Sequence, residues 1–372
     1  MPPISLLIKP ASSNCNLRCR YCFYHAIAEN RQTKSYGMMD IETLEALVKK
    51  ALEYADYSCT FAFQGGEPTL AGLDFFRKLI EFEKKYNIKK VQIHNALQTN
   101  GVVIDDEWAQ FLAENKFLVG LSLDGPKDIH DANRYDALNK GSFTRVMEAV
   151  RLFNKHKVEY NILTVVTANT ARHINKIYNF YKKNGFRYLQ FIPCLDPLGE
   201  EPGGYDYSLS AERYANFLKT LFDLWYADII QGNMISIRYY DNLVGMAMGQ
   251  RPEACGMGGV CTCQFVVEAD GRVYPCDFYV IDRWYLGNLK DASFEELRNS
   301  EAGSTFVEVS KDIDPQCREC RWFNLCRGGC RRDREPFEND KPVLNHFCAA
   351  YKEFFEYAGE RLIYLARQFS KR

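Results

Sequence analysis

Three cysteines within eight positions, Cys15, Cys19 and Cys22 in "CNLRCRYC", constrain this chain more tightly than any other feature. They form C-x3-C-x2-C directly after a short β-rich run, "SLLIKPA". A structural zinc site closes its shell with four protein ligands. No histidine inside the loop supplies the fourth, and His25, three residues on, is the candidate that would complete a zinc knuckle. A [4Fe-4S] cluster also takes thiolates at such spacings. Held by three, it leaves one iron open to chelate something else.

The bulk numbers narrow the class. A chain of 372 residues suggests two domains, or one large barrel with an appendage. With 47 basic against 48 acidic side chains, no global field draws it to nucleic acid or an anionic membrane. The opening apolar run, Ile4 to Ile8, is cut short by Lys9 and Pro10, too early for a signal peptide. No stretch approaches the ~20 apolar residues of a bilayer crossing. The expectation is a soluble, cytoplasmic protein. In a reducing compartment its fourteen cysteines point to metal binding and away from a disulfide frame.

Between residues 5 and 195, β-rich runs alternate with amphipathic helical stretches. The strands expected are "SLLIKPA", 59–64, 90–99, 117–124, 159–167 and 188–194. Between them, Leu73, Phe76 and Ile80 share one helix face, as do Phe143, Val146, Met147 and Val150. Six strand-helix units with right-handed crossovers make a parallel sheet. Polar or glycine-rich motifs follow the strand ends, where (β/α) barrels keep their chemistry. The fold expected is α/β, a partial (β/α)6 barrel open on one side. From "PLGEEPGGYDYSLS" (197–210) the rhythm changes: one helix over about 211–230, a loop-rich cysteine-dense region from Cys255 to Cys348, and a closing helix over 349–369. The domains expected are 1–233, 234–348 and 349–372.

The second half holds Cys255, Cys261, Cys276 in "GRVYPC", Cys317, Cys320, Cys326 and Cys330 in "CRECRWFNLCRGGC", and Cys348. Eight thiols suffice for two fully ligated clusters. A zinc ribbon uses the same C-x2-C pairs, so this half alone does not separate iron-sulfur from zinc. Cys59 and Cys194 fall in expected strands and read as small buried hydrophobes. In "CTC" either Cys261 or Cys263 could serve a metal, and Cys261 is preferred. Asp277 directly follows Cys276, so its carboxylate must lie close to any cluster there and could act as a base; the alternative is a turn cap.

The C-x3-C-x2-C motif with Tyr21 before its last cysteine resembles the radical S-adenosylmethionine superfamily, in which the open iron binds the amino and carboxylate groups of that cofactor. One electron then cleaves the sulfonium to a 5′-deoxyadenosyl radical. "GGE" after the second strand (Gly65, Gly66, Glu67), Ser122 in "LSLDG", Arg134 in "HDANRY" and Leu195 match the family's cofactor contacts. The resemblance implies that Gly65 and Gly66 let backbone oxygens approach the ammonium, that Ser122 hydrogen-bonds the cofactor, that Arg134 pairs with its carboxylate, and that Leu195 and Tyr21 line the adenine pocket.

The later cysteines resemble the SPASM auxiliary-cluster domain. By that resemblance one [4Fe-4S] cluster takes Cys255, Cys261, Cys276 and Cys330, and the other Cys317, Cys320, Cys326 and Cys348, three clusters in all. The auxiliary pair would receive an electron and bind no substrate. The chain is most similar to the anaerobic sulfatase-maturating enzymes, which convert a Cys or Ser in a C/S-x-P-x-R segment to Cα-formylglycine. This implies Asp277 as catalytic base, an unfolded or nascent sulfatase as partner, and a flavodoxin or ferredoxin as electron donor. Tyr24, Gln64, Gln98 and Asn100 are the expected contacts to the peptide. A thioether-forming or quinone-cofactor maturase, and a non-enzymatic zinc scaffold, are the competing readings.

Overall fold

The computed structural model describes residues 3–338 and 341–370. Its strands are β1 Ile4–Ile8, β2 Ser58–Phe63, β3 Gln92–Thr99, β4 Leu118–Ser122, β5 Glu159–Val166, β6 Tyr188–Pro193, β7 Ser236–Ile237, β8 Val266–Val267, β9 Arg272–Tyr274 and β10 Gly287–Asn288. The first six are the β-rich runs expected from sequence. The chain forms two compact units that cut across chain order. One comprises Met1–Ser122, Arg134–Tyr160 and Thr262–Phe306; the other comprises Leu123–Asn133, Asn161–Cys261 and Val307–Arg372.

In the first unit, β1 to β4 run parallel in sequence order, with Leu6 opposite Phe61, Phe61 opposite Asn95 and Leu97 opposite Val119. Alternation along β2 buries Cys59, Phe61 and Phe63. Against them, the helix Leu73–Tyr86 lays Phe75, Phe76, Leu79 and Phe82. Phe76 meets Phe63 at 5.0 Å, Trp108 at 5.3 Å and Phe117 at 6.2 Å between ring centroids. The sequence placed this face on Leu73, Phe76 and Ile80; Leu73 and Ile80 are only half-buried, because the larger rings of Phe75 and Phe82 occupy the core.

A late segment returns to the first strand. β8 pairs parallel to β1, Leu7 opposite Val266 and Ile8 opposite Val267, while β9 and β10 follow antiparallel. On the other side of β1, Ile8 is opposite Phe63. The residues just past these three strand ends are therefore neighbours: Glu268, Lys9 and Gln64. Lys9 N–H donates to Val267 O at 2.8 Å and Gln64 N–H to Ile8 O at 2.9 Å, which continues the ladders by one step.

In the second unit, most of β5 pairs parallel with β6, and β6 with β7. The helices Ala211–Ile230, Arg238–Ala247 and Cys348–Phe369 pack through aromatic rings: Phe222 and Phe354 at 5.7 Å, Tyr240 and Phe354 at 5.8 Å, Trp225 and Tyr240 at 5.1 Å. Trp225 is buried, and its Nε1–H is satisfied by Ile235 O at 2.8 Å. Neither run of strands closes on itself. Among the described residues no helix is long and apolar enough to cross a membrane.

Candidate active site

The three-cysteine loop follows β1 and is held by its own polar groups. Leu17 N–H donates to Cys15 Sγ at 3.4 Å, and Asn100 Nδ2 lies 3.8 Å from the same sulfur while donating to Asn16 Oδ1 at 2.7 Å. Burial pushes the Cys15 thiol up to about 11, with Glu67 and Cys22 adding to the rise and Leu17 N–H and Arg134 opposing it. Arg134 Nη1 lies 3.9 Å from Cys19 Sγ, and its guanidinium sits 5.4 Å from the Tyr21 ring centroid. Cys19, Tyr21 and Arg134 are thus brought together, a cation beside the thiols. Ser122 accepts a bond from Gln98 Nε2 at 3.1 Å.

The glycines of "GGE" have a more concrete reason than flexibility. Gly65 and Gly66 adopt φ of +89° and +53°. A Cβ on Gly66 would lie 2.3 Å from Asn14 O, and one on Gly65 would lie 2.4 Å from Lys9 Cε. Glu67, the third residue of that motif, assigned no role of its own from sequence, ties the region together. Its carboxylate accepts from Thr69 N–H at 3.1 Å, Thr69 Oγ1 at 2.7 Å, Thr99 Oγ1 at 2.8 Å and Asn100 N–H at 2.7 Å, while its own N–H donates to Asn14 O at 2.8 Å. Asn100 is therefore engaged with both the cysteine loop and Glu67.

Asp277 sits at the centre of a second buried network. Tyr24 Oη donates to its Oδ2 at 2.5 Å and Gln64 Nε2 to the same oxygen at 2.8 Å; Gln64 also reaches Tyr24 Oη at 2.7 Å. Oδ1 is buried and makes no hydrogen bond, with Lys9 Nζ 4.0 Å away. Lys9 Nζ lies 3.5 Å from Glu268 Oε1 and 4.7 Å from the Tyr24 ring centroid, and Arg31 Nη1 bonds Glu268 at 2.7 Å. Burial raises the Asp277 carboxyl above its usual range, against the opposing pull of Lys9, Tyr24 and Gln64. Glu268 is held below its usual range: burial works against ionisation, but Lys9 and Arg31 outweigh it. Sequence reading found Tyr24, Gln64 and Asp277 and missed Lys9, Arg31 and Glu268. The available signal was a charge ending each of two apolar runs, "SLLIK" and "FVVE".

No cysteine is joined in a disulfide. Cys317, Cys320, Cys326 and Cys348 line one open cavity of about 350 Å³ together with Trp322, Tyr351 and Phe355. Burial pushes Cys326 up to about 11, and the neighbouring Cys348, Cys317 and Cys320 raise it further. Four thiols lining one pocket are a donor set suited to a cationic iron-sulfur core. Gly256 lets Cys255 approach Cys330, since its Cβ would lie 3.3 Å from Cys330 Cβ. Burial and Asp333 raise the Cys330 thiol, and Cys261 and Cys255 add to it. Cys263, by contrast, is influenced by Phe265 N–H and Arg298. Cys276 belongs to the other unit. Among the described residues no group of three or more His, Cys, Asp or Glu closes around a single ion; cubane ligands bind separate irons. Leu195 lines a further cavity of about 360 Å³ with Asp196, Arg332 and Asp333.

A strand-end thiol loop with an adjoining Arg, a glycine cradle and a separate thiol pocket define a radical enzyme with an auxiliary iron-sulfur domain. Residues 10–181 match the radical SAM superfamily and 255–321 match the SPASM iron-sulfur cluster-binding domain. The chain is 57% identical over 366 residues to the cysteine-type anaerobic sulfatase-maturating enzyme of Clostridium perfringens, covering 98% of this chain and 99% of that one. It is 32% identical over 383 residues to the serine-type anaerobic sulfatase-maturating enzyme of Bacteroides thetaiotaomicron, covering 98% and 92%. It superposes with a TM-score of 0.96 and 55% identity on native anSMEcpe with bound AdoMet and Cp18Cys peptide, over 99% of this chain and 100% of that one. The chain belongs to the anaerobic sulfatase-maturating enzymes of the radical SAM superfamily.

Proposed function

We propose that this enzyme oxidises a cysteine in the C-x-P-x-R segment of an unfolded or nascent sulfatase to Cα-formylglycine in the cytoplasm. The observation that carries the cysteine preference is the full-length match at 57% to a cysteine-type relative against 32% to a serine-type one. In this reading residues 1–233 form the radical SAM domain, 234–348 the auxiliary domain and 349–372 a closing helix. Cys15, Cys19 and Cys22 hold a [4Fe-4S] cluster, with Tyr21, Gly65, Gly66, Ser122, Arg134 and Leu195 around S-adenosylmethionine. Cys255, Cys261, Cys276 and Cys330 hold one auxiliary cluster, and Cys317, Cys320, Cys326 and Cys348 the other. When bound, these groups supply a 5′-deoxyadenosyl radical that takes a hydrogen atom from the substrate Cβ and an acceptor for the one electron left behind.

The protein's own contribution is the proton. Oxidation of –CH2–SH to a thioaldehyde releases a hydrogen atom, a thiol proton and an electron, and water then adds to the thioaldehyde carbon and hydrogen sulfide leaves to give the aldehyde. Asp277 takes the thiol proton on Oδ1, the oxygen without a hydrogen bond, while Tyr24 and Gln64 fix the carboxylate through Oδ2. Burial makes that carboxylate a stronger base, and Lys9 keeps a counter-charge beside it. Tyr24, Gln64, Gln98 and Asn100 act near the peptide, the last two through Ser122 and the cysteine loop. A flavodoxin or ferredoxin supplies the reducing electron.

Anaerobic incubation with a peptide carrying the C-x-P-x-R segment, its serine counterpart, S-adenosylmethionine and dithionite tests this. The expected product is the aldehyde from the cysteine peptide, formed with 5′-deoxyadenosine, and about twelve irons and twelve sulfides per chain. A crosslinked peptide of unchanged sulfur content would instead mean a thioether-forming maturase, and two or three zincs a scaffold.

A further inference from the structure

Arg334 is only 2% exposed, yet its charge lacks an adequate partner. Nη1 donates to Asp312 O at 2.9 Å and Nη2 to Ser310 O at 3.3 Å, both neutral carbonyls, and Nε is buried without a hydrogen bond. Among the described residues no carboxylate lies within 4.0 Å of the guanidinium. An uncompensated buried charge is strongly destabilising, so the fold must supply an anion.

The geometry indicates which one. Ser310, whose carbonyl accepts from Arg334, also accepts Cys261 N–H on its Oγ at 2.9 Å. At the other end of the same segment, Cys317 N–H donates to Asp314 O at 2.9 Å, two residues beyond the second carbonyl that Arg334 holds. The guanidinium thus pins a strand of chain that runs between a cysteine of one expected auxiliary set and a cysteine of the other.

We propose that Arg334 is the shared buried counter-cation of the two auxiliary cluster sites, raising the reduction potential of the clusters they hold. This rests on the proposed function, which places clusters there. One-electron reduction of a cluster held by four thiolates adds one negative charge and makes or breaks no bond, so a fixed cation in a low-dielectric setting favours the reduced form.

The test is an anaerobic redox titration with dithionite, monitored by electron paramagnetic resonance, on fully reconstituted wild type, Arg334→Gln and Arg334→Lys. The reduction equilibrium of both auxiliary clusters should fall about tenfold in the Gln variant, about 59 mV for a one-electron couple, and stay near wild type in the Lys variant, and a fall at one cluster alone overturns the shared role. Unmoved potentials in Arg334→Gln at full iron content overturn the proposal, as does an equal fall in both variants. If Arg334→Gln loses its auxiliary iron, the Lys variant decides alone: a wild-type potential supports the charge role and a lowered one overturns it. A wild-type count near four irons sinks the auxiliary clusters themselves, and with them this role.

Discussion

Tyr24 Oη and Asp277 Oδ2 are 2.5 Å apart although 253 residues separate them in the chain. The contact is made because β8 docks on β1 and brings the Cys276 segment back to the first strand ends. It leaves Asp277 with one committed and one available oxygen. Asp277→Asn keeps the bond from Tyr24 but removes the proposed proton acceptor. Peptide oxidation should fall by about 10² or more, while 5′-deoxyadenosine still forms. Product and cofactor fragment are quantified from the same anaerobic reaction; oxidation near the wild-type rate would remove Asp277 as base.

In the proposed function Lys9 is the counter-charge to that base, 4.0 Å from its Oδ1. In Lys9→Met the cation beside Asp277 Oδ1 is lost and Glu268 keeps only Arg31 as its cationic partner. Breaking a buried ion network by one partner costs about 3–5 kcal/mol. The variant should unfold at lower denaturant and oxidise peptide at least about tenfold more slowly. Circular dichroism under denaturant and peptide mass analysis check the two effects separately.

Gly66→Ala should act on the cysteine loop itself. The new methyl would press on Asn14 O and Ser12 O at 2.3 and 2.9 Å, both backbone atoms that cannot swing aside. The expected outcome is a loop pushed off its register, with reduced S-adenosylmethionine binding and loss of its cleavage. Equilibrium dialysis with labelled cofactor measures the first and chromatography of 5′-deoxyadenosine the second. Unchanged binding would contradict the cradle.

Glu83 gives a pH test away from the site. Burial pushes its carboxyl from 4.5 up to about 7, with only Asn95 Nδ2 at 3.2 Å in support. The folded state therefore binds the proton more tightly than the unfolded chain. Its favourable term is complete below about pH 4.5 and is lost as pH rises through about 7. Glu83→Gln has no such proton to lose and should exceed wild type at pH 8 by about 3 kcal/mol, with little difference at pH 4.5. Urea unfolding at the two pH values measures this; parallel losses in both proteins would contradict it.

The cysteine framework and the six strands were readable because each is a local pattern: thiols at fixed spacing, apolar runs between turns. Asp277 was readable for a similar reason, since its adjacency to Cys276, a proposed cluster ligand, singled it out. Lys9 and Glu268 were not, because each looks like an ordinary strand-end charge until the pairing of Ile8 with Val267 sets them side by side. Gln98 and Asn100 were placed at the correct strand end, but spacing could not show that their amides are bonded to Ser122 and Asn16. The division of the cysteine-dense half between two compact units was equally hidden, since composition does not change at residue 306.

The absent side chain at residue 65 has a wider effect. The room it leaves is filled by the methylenes of Lys9, whose tip stands 4.0 Å from Asp277 Oδ1, the proposed proton acceptor. In the proposed function, cofactor cradle and base support therefore compete for a single volume. Any attempt to retune this enzyme at that glycine, for a bulkier sulfonium analogue or a different peptide, will disturb hydrogen abstraction and deprotonation at once, so evolution and engineering alike must treat the two steps as one heritable unit.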